Sequence, residues 1–300
     1  MKLERGEARL ETAWPIDLGL TVASHGWVHL EPWRWDAATG TLSHTERIGD
    51  RIGTIAMRQN DPTTLAVAWD GFAASAQSEI LTRAARWVSA DWNPNPAISA
   101  LGAGFADEAA LIARGGGRLL RGSTFYEDFI KTVLTVNTSW SGTCRMTAAL
   151  VAEPGGGAFP SPEMLIDYGE ERLRGVAKLG FRAPVVASAT RRMLDDGTLD
   201  AAGQGREKRL DYDYLLGLKG IGPYAAAHCR MLLQDFSRIP VDSVVVAHLR
   251  ERHDTDPATF IARAECGAYL GLGYRLMRLR EKFQVADVEI SAPAVPESAY

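Results

Sequence analysis

The sequence predicts an α+β fold, in which a small N-terminal antiparallel β-sheet domain precedes a mostly helical core. Two observations support this prediction. Alternating apolar residues separated by turn signals recur over residues 16–95, which is typical of short antiparallel strands. From residue 96 onward, longer segments repeat apolar residues at helical spacing. Within them, residues 211–234 place two short helical segments around a glycine-rich turn.

These patterns divide the 300-residue chain into four parts. Residues 1–15 are rich in charge and are expected to be loose. Residues 16–95 form the N-terminal antiparallel sheet domain with a helix. Residues 96–285 form the helical core, with a helix-hairpin-helix at 211–234. Residues 286–300 are polar and contain proline, which predicts a disordered tail.

Individual elements follow from local periodicity. Alternating apolar residues predict strands at residues 18–22, 52–57 and 65–69. Thr124 and Glu127 have the spacing of a capping box, which predicts a helix start. Helical periodicity predicts the principal helices at residues 79–92, 97–114, 125–136, 141–151, 172–178, 183–194, 243–250 and 274–283.

Composition limits the class of protein. The chain is 46% hydrophobic and 23% charged, which is ordinary for a globular protein. No apolar run approaches membrane-spanning length and the N-terminus does not resemble a signal peptide, so we expect a cytoplasmic location, nucleoid-associated in a bacterium. The net charge of −4 does not indicate a nucleic-acid binder. Binding to nucleic acid would therefore require a confined basic face, for which the candidates near the hairpin are Lys178, Arg182, Lys208, Arg209 and Lys219.

The glycine-rich turn is the most informative segment. Gly220 and Gly222 flank one apolar residue and permit a tight hairpin, and Pro223 suits the first position of the second helix. Backbone N–H groups at such a helix N-terminus can hold a phosphate. The residues predicted to contact a nucleic-acid backbone are Lys219, Gly220, Ile221, Gly222 and Tyr224. The alternative is a glycine turn between two core helices.

This segment resembles the helix-hairpin-helix DNA glycosylase superfamily, whose hairpin reads Leu-x-Gly-hydrophobic-Gly and is followed by a Pro/Gly-rich loop and one aspartate. Here Leu218 begins the hairpin, and Asp242 follows Gly222 by 20 residues. Residues 16–36 resemble the N-terminal domain of the alkylpurine and oxoguanine branches. Residues 179–184, Leu-Gly-Phe-Arg-Ala-Pro, are similar to a segment of oxoguanine-type members.

The resemblance implies that Asp242 is the catalytic carboxylate of a base-excision-repair enzyme, a DNA glycosylase that flips a damaged base out of the duplex. Cleavage of the C1′–N bond places positive charge on the sugar, and a carboxylate stabilises that charge. Members that also cut the strand carry a lysine two residues after the second glycine, where its amine forms a Schiff base. This chain has Tyr224 there, which predicts a monofunctional hydrolase without AP-lyase activity. If Asp242 is only a helix N-cap, the chain would be a non-catalytic DNA-binding protein.

The resemblance also supplies candidates for the wedge and the base pocket. Asn137 follows an apolar helix, like the polar residue that related enzymes insert into the duplex; its alternative role is to terminate the helix. Trp140, Tyr224 and Arg182 are the other members of this group, although Trp140 could instead belong to the core. His228 and His248 have no partner at metal-ligand spacing, so we expect structural or surface roles and no metal site.

The expected substrate is an alkylated purine, because alkylation at N3 or N7 makes the base cationic and weakens its glycosidic bond. Aromatic faces attract such a ring, and the candidates to supply one are Tyr224, Trp140, Trp33 and Trp35. One alternative is an 8-oxoguanine-type glycosylase without the lyase lysine. Another is a glycosylase/lyase that uses a lysine from elsewhere in the chain.

No cofactor is expected. The three cysteines, Cys144, Cys229 and Cys266, are too few and too dispersed for an iron–sulfur cluster. The resemblance leaves open a structural monovalent cation at the hairpin. The expected partner is double-stranded DNA that contains a damaged base, bound by a monomer without any membrane association.

Overall fold

A computed structural model describes residues 5–102 and 104–283 of the chain. Its strands are β1 (Arg5–Glu11), β2 (Trp33–Asp36), β3 (Thr41–Ile48), β4 (Arg51–Asp61) and β5 (Thr64–Asp70). Its first helices are α1 (Leu18–Ala23), α2 (Gln77–Trp87), α3 (Asn95–Leu101), α4 (Ala106–Ala113), α5 (Phe125–Thr135), α6 (Trp140–Ala152) and α7 (Pro162–Tyr168). The remaining helices are α8 (Glu170–Gly175), α9 (Arg182–Asp195), α10 (Tyr212–Leu216), α11 (Pro223–Leu232), α12 (Ser243–His253), α13 (Pro257–Arg263) and α14 (Leu270–Phe283). The predicted α+β class is confirmed, and the predicted tail at 286–300 lies outside the described residues.

The sheet is antiparallel throughout and has the order β1-β5-β4-β3-β2. The expectation that residues 1–15 are loose is wrong for β1, which pairs with β5 and places Ala8 opposite Val67. Gly6 explains part of this pairing, because a Cβ there would lie 2.2 Å from the Trp69 ring. The missing side chain lets the indole cover the edge strand, a contact that local periodicity does not reveal.

Two predicted elements differ from the structure. Residues 18–22 were expected to form a strand but lie in α1, whose N-cap Asp17 accepts a hydrogen bond from the Leu20 N–H group at 2.8 Å. Almost the whole of α1 is buried, so its alternating apolar residues are not the buried face of a strand. The helix expected at 97–114 is interrupted near Gly102 and forms α3 and α4.

The apolar residues form two buried clusters, and these do not follow the predicted boundary at residues 95 and 96. The first cluster contains the sheet, α1 to α4 and the C-terminal helices α12 and α14. The second extends from Phe125 in α5 to Leu233 just after α11. Residues of α11 contribute to both clusters, as Met231 and Cys229 show. The C-terminal helices therefore share the core of the sheet, although about 170 residues or more separate them from its last strand in sequence.

A buried ionic network joins the sheet to α5. His44 on β3 has Nδ1 at 2.7 Å from Glu46 Oε1 and Nε2 at 3.0 Å from Glu127 Oε1. Lys131 Nζ lies 2.6 Å from the same Glu127 oxygen, and Arg83 Nη1 lies 2.5 Å from Glu46 Oε2. The His44, Glu46, Glu127 and Lys131 side chains are all at most 4% exposed. Buried charges of this kind persist only when each has a partner.

Glu127 also explains why the predicted capping box forms only in part. Thr124 Oγ1 accepts a hydrogen bond from the Glu127 N–H group at 3.1 Å, as a helix N-cap should. The Glu127 carboxylate does not complete the box with Thr124. It accepts a hydrogen bond from the Ser123 N–H group at 3.0 Å and one from Lys131. The sequence pattern located the helix start, whereas the ionic network determined the second half of the motif.

The network shifts the pKa of each of its central members. Burial alone would lower the pKa of His44, but Glu127 and Glu46 outweigh burial and raise it to about 9. Burial would raise the pKa of Glu127, but Lys131 and His44 outweigh burial and hold it well below its usual range. At neutral pH His44 is therefore an imidazolium between two carboxylates.

We predict that His44→Leu destabilises the protein by about 3–5 kcal/mol at pH 6, because two buried glutamates lose a cationic partner. The raised pKa of His44 gives stability that is complete below about pH 6.5 and is lost as the pH rises through about 9. The difference between wild type and variant in urea unfolding should therefore shrink between pH 6.5 and 9.

The matched control is Arg34→Ala, which removes an exposed ion pair with Glu31. It should cost at most about 1 kcal/mol at either pH. A wild-type advantage over His44→Leu that grows towards pH 9 would contradict the charged state assigned to His44.

Candidate active site

A cavity of about 110 Å³ lies where the start of α11, the start of α12 and one face of α14 meet the end of α1. The side chains of its wall that carry chemistry are Ser24, His25, Tyr224, Asp242, Tyr274, Arg275, Arg278 and Lys282. Both predicted residues with a direct chemical role, Asp242 and Tyr224, are therefore at this one cavity.

Asp242 is half-buried in the cavity wall and is also the N-cap of α12. Its Oδ1 accepts a hydrogen bond from the Val245 N–H group at 2.8 Å. The N-cap role considered from the sequence is therefore real, but it uses one carboxylate oxygen and does not remove Asp242 from the cavity. The cap fixes the rotamer of the carboxylate, which is a requirement for a preorganised catalytic group.

Tyr224 lies in the first turn of α11, immediately after the hairpin. Its hydroxyl lies 3.3 Å from Thr135 Oγ1, at the end of α5. Burial is the main factor that raises the pKa of Tyr224. The Thr135 hydrogen bond lowers it and the Asp242 charge raises it further. The phenol therefore stays neutral and offers its ring and its O–H group to a ligand.

Two buried imidazoles adjoin the cavity. His25 Nε2 lies 2.6 Å from the Leu120 carbonyl oxygen, so Nε2 carries the proton and Nδ1 is an acceptor. His228 lies between Trp27 and Tyr224, with ring centroids 5.1 and 5.8 Å away. Among the described residues, no hydrogen-bond partner meets His25 Nδ1 or either nitrogen of His228. Burial, and to a smaller extent the charge of Arg275, lowers the pKa of His228 to about 3. Burial is also the main factor that lowers the pKa of His25 well below its usual range.

One face of α14 brings positive charge to the cavity. Arg275, Arg278 and Lys282 recur at helical spacing and all line it. Arg275 Nη1 donates a hydrogen bond to the Ser24 carbonyl oxygen at 3.0 Å, which ties α14 to the end of α1. Arg278 is half-buried and Lys282 is exposed, so these two lie nearer the mouth of the cavity.

The hairpin joins α10 to α11 through a short turn, as the sequence predicts. Gly220 has a φ of +86°, and a Cβ there would lie 2.5 Å from Val185 Cγ2. Ile221 is buried and its N–H group donates to the Leu218 carbonyl oxygen at 3.0 Å, which closes the turn. Gly222 is the exposed N-cap of α11 and has no side-chain cap, and Lys219 is exposed beside it. The surface of the turn is therefore backbone, with no side chain that covers the start of α11.

Asn137 is on an exposed turn after α5, and Arg182 supports that turn. Asn137 has a φ of +50°, a conformation that asparagine adopts more readily than most residues. Arg182 is buried. Its Nε donates to the Val136 carbonyl oxygen at 3.0 Å and its Nη2 to the Asn137 carbonyl oxygen at 3.0 Å. Arg182 is not among the lining residues of the cavity, because its guanidinium is held by the carbonyl groups at the end of α5.

The predicted tryptophans are not in the cavity wall. Trp140 packs on Gly26, where a Cβ would lie 2.4 Å from the indole. Trp33 is 1% exposed and its ring contacts the rings of His44 and Trp87. Trp35 is a partly buried member of the same core cluster. All three indoles pack in or against the first core cluster, which is the alternative considered for Trp140.

Sequence reasoning missed most of the cavity wall. His25 and the α14 residues Tyr274 and Arg275 are separated by about 250 positions, so no local pattern relates them. The one available signal was the recurrence of arginine and lysine on one face of the last predicted helix. His228 had been assigned a structural or surface role; it is fully enclosed one helical turn beyond Tyr224.

Solved structures share the fold of this chain over nearly its whole length. The chain superposes on 3-methyladenine DNA glycosylase from Archaeoglobus fulgidus with a TM-score of 0.69 and 16% identity, over 93% of this chain and 99% of that one. The 8-oxoguanine glycosylase/lyase of Clostridium acetobutylicum gives 0.66 and 13%, over 92% and 98%. MBOgg1 in complex with a low-affinity DNA ligand gives 0.64 and 16%, over 94% and 99%.

These similarities confirm the fold that the sequence resemblance predicted. No protein-family model matches the chain, and no curated protein matches it in sequence. In the described part of the chain, no helix combines the length and the apolar character that crossing a membrane requires.

We predict that Gly220→Ala and Gly222→Ala differ in stability although they are two positions apart. Gly220→Ala should cost about 1–3 kcal/mol, because alanine is strained at positive φ and its Cβ meets Val185. Gly222→Ala should stay within about 0.5 kcal/mol, since its φ of −100° is ordinary and its Cβ meets nothing within 4 Å. Thermal unfolding of both variants measures the difference. Equal losses would show that the two glycines serve the same role.

Proposed function

We propose that the chain is a monofunctional DNA glycosylase of base excision repair, which hydrolyses the N-glycosidic bond of a damaged purine. The observation that supports this most strongly is the presence of Asp242 and Tyr224 at one cavity directly behind the hairpin. A carboxylate with a fixed rotamer faces a space bounded by the aromatic ring of Tyr224 and by His25, whose Nδ1 has no hydrogen-bond partner among the described residues. A DNA-binding module without catalysis would not need this cavity.

The hairpin is the proposed backbone anchor. The exposed start of α11 offers N–H groups to a phosphate oxygen, and no side chain at Gly222 obstructs the approach. Lys219 adds a positive charge from the turn. Such contacts fix the position of the duplex without reading its sequence.

The turn at Asn137 is the proposed wedge. It is exposed and it is braced from beneath by Arg182, so its position does not depend on the mobility of a long loop. A nucleotide that leaves the stack needs a group to occupy the space it vacates. The carboxamide of Asn137 can take that position and hydrogen-bond the orphaned base on the opposite strand.

Asp242 then acts on the flipped nucleotide. As the C1′–N bond breaks, its electron pair leaves with the base and positive charge develops on the sugar, where the carboxylate stabilises it. Water supplies the oxygen that bonds to C1′ and gives up a proton. A cationic alkylated base departs as the neutral base and the proton passes to solvent, whereas a neutral purine departs as an anion that takes up a proton. The products are the free base and an intact strand with an abasic site. Tyr224 occupies the place of the lyase lysine, and a phenol forms no Schiff base.

An alkylated purine is the first candidate substrate. Its cationic ring is already a good leaving group, so a carboxylate and water suffice. Tyr224 is the aromatic side chain, among the four expected to bind such a ring, that lies at the cavity. Arg278 and Lys282 near the mouth are placed to pair with phosphates that flank the flipped nucleotide, which limits their repulsion of a cationic base.

A neutral oxidised purine is the second candidate, and one observation favours it. Three basic side chains and one carboxylate line the cavity, and positive charge favours electron-rich carbonyl oxygens over a cationic ring. His25 Nδ1 is an acceptor that an N–H group of such a base can satisfy.

The monovalent cation at the hairpin, the absence of a cofactor and the monomeric state stay predictions.

We predict that Asp242→Asn lowers base release by about 100-fold or more while duplex binding and stability stay close to wild type. Asparagine is as good an N-cap as aspartate, so α12 keeps its cap and only the charge is lost. The matched control is Asp256→Asn, which changes the N-cap of α13 away from the cavity and should release base at the wild-type rate. Wild-type turnover by Asp242→Asn would remove Asp242 from the mechanism.

We predict that the product strand is intact until alkali is added, because Tyr224 cannot form a Schiff base. The measurement is gel analysis of a labelled duplex with and without alkali, with borohydride trapping in parallel. Lys282 lines the same cavity. Partial burial, and to a smaller extent the charge of Arg278, lowers its pKa to about 8. Scission without alkali, together with a trapped adduct that disappears in Lys282→Gln, would make the chain a glycosylase/lyase.

We predict that 7-methylguanine and 3-methyladenine are released faster than 8-oxoguanine paired with cytosine. The reason is the intrinsic weakness of the glycosidic bond in a cationic purine. Single-turnover rates on duplexes with one modified base each decide the ranking. The opposite order would establish the oxidised purine as the substrate, as the basic wall of the cavity favours.

A further inference from the structure

A second group of chemically active side chains lies behind the cavity, between α12 and α14. His248 Nε2 lies 2.9 Å from Glu281 Oε2, and His253 Nε2 lies 3.1 Å from Glu281 Oε1. One ligand atom from each of the three residues lies within 4.8 Å of the other two. Spacing along the chain did not predict this cluster, because the two histidines are five residues apart and the carboxylate comes from another helix.

The three side chains are protected but reachable. Their exposed fractions are 14% for His248, 27% for His253 and 28% for Glu281, so a small ion can enter without an opening of the fold.

The hydrogen bonds of the cluster leave one nitrogen unsatisfied. His248 is complete, with Nε2 on Glu281 and Nδ1 at 3.1 Å from the Tyr274 hydroxyl. His253 Nε2 is buried and, within the described residues, has no hydrogen-bond partner of acceptable geometry although Glu281 is close. A cation placed along the lone pair of this nitrogen, between the three side chains, would satisfy it.

We propose that His248, His253 and Glu281 form a binding site for a first-row divalent metal ion, with Zn²⁺ as the best match. Two imidazoles and one carboxylate make a three-ligand set that zinc uses with water as the fourth ligand. At zinc bond lengths of about 2.0–2.2 Å, tetrahedral ligand atoms lie about 3.3 Å apart. The separations of the two imidazoles from Glu281, 2.9 Å to Oε2 and 3.1 Å to Oε1, are within a few tenths of an ångström of this value, and the three ligand atoms together lie within 4.8 Å of one another.

The second shell fits the same assignment. A metal on His248 Nε2 moves the imidazole proton to Nδ1, which then donates to the Tyr274 oxygen. Tyr274 also lines the cavity that contains Asp242. The ion would link α12, whose N-cap is Asp242, to α14, which carries Arg275 and Arg278. This site does not depend on the proposed glycosylase function, since it rests on the metal ligands alone.

The test is a Co²⁺ titration of the full chain, purified without a histidine tag and freed of metal with EDTA. Co²⁺ takes the zinc geometry and gives visible ligand-field bands when four-coordinate. We expect one Co²⁺ per chain, displacement of the bands by Zn²⁺, and a higher Tm with Zn²⁺ than in EDTA. His253→Gln and Glu281→Gln should each lose the bands and the Tm increase.

The matched control is Glu251→Gln, which removes an exposed carboxylate on α12 outside the cluster and should bind Co²⁺ like wild type. The Tm of each variant in EDTA shows that it is folded before metal is added. Wild-type chain without bands and without a Tm increase, or bands that survive in both His253→Gln and Glu281→Gln, would overturn the site. Because no DNA is present, this result is separate from any failure of base release.

Discussion

The buried ionic network around His44 is the constraint on which the rest of the structure depends. An imidazolium between Glu46 and Glu127, with Lys131 on the same carboxylate, cannot be separated without leaving charge in an apolar interior. The network therefore fixes the sheet against α5. Asp128 of α5 in turn accepts a hydrogen bond from the Trp27 indole at 3.0 Å. The Trp27 ring contacts the His25 ring, so α5 also helps to position His25 at the cavity.

The same helix positions both ends of the proposed DNA contact. Its last turn leads to Asn137, whose carbonyl group Arg182 holds, and its Thr135 hydroxyl meets Tyr224 at the start of α11. The wedge candidate and the cavity are thus fixed to one rigid element. Sites placed on helices keep their geometry better than sites on free loops, and a flipped base requires a precise position.

The cavity lies where the two hydrophobic clusters meet. Tyr224 belongs to the edge of the second cluster, whereas Met231, Val245 and Tyr274 belong to the first. Its wall contains the imidazole of His25 with an unpartnered nitrogen, the carboxylate that caps α12 and three cations, and the buried ring of His228 lies beside Tyr224. Unsatisfied polar atoms in a buried place are costly, so their concentration here favours a site that a ligand completes. The proposed metal site between α12 and α14 would add stiffness to the same wall.

Part of the site could be predicted from the sequence. The hairpin could be located from Gly220 and Gly222, because glycine has local conformational meaning, and Asp242 from its distance along the chain. The tryptophans and Arg182 could not be placed, because an aromatic or basic side chain suits a core, a turn or a pocket equally well. Only neighbouring elements decide among these environments.

The sequence by itself determined the α+β class, most helix positions and the hairpin with its carboxylate, since these depend on contacts within a few turns of one helix or strand. The tertiary structure alone decided that β1 completes the sheet and that α14 joins the N-terminal core. It also decided that His25 and Arg275 meet at the cavity and that Glu281 meets His248 and His253. The physical reason is that these contacts arise from burial and charge pairing between distant segments, and such contacts leave no periodic signal in either segment alone.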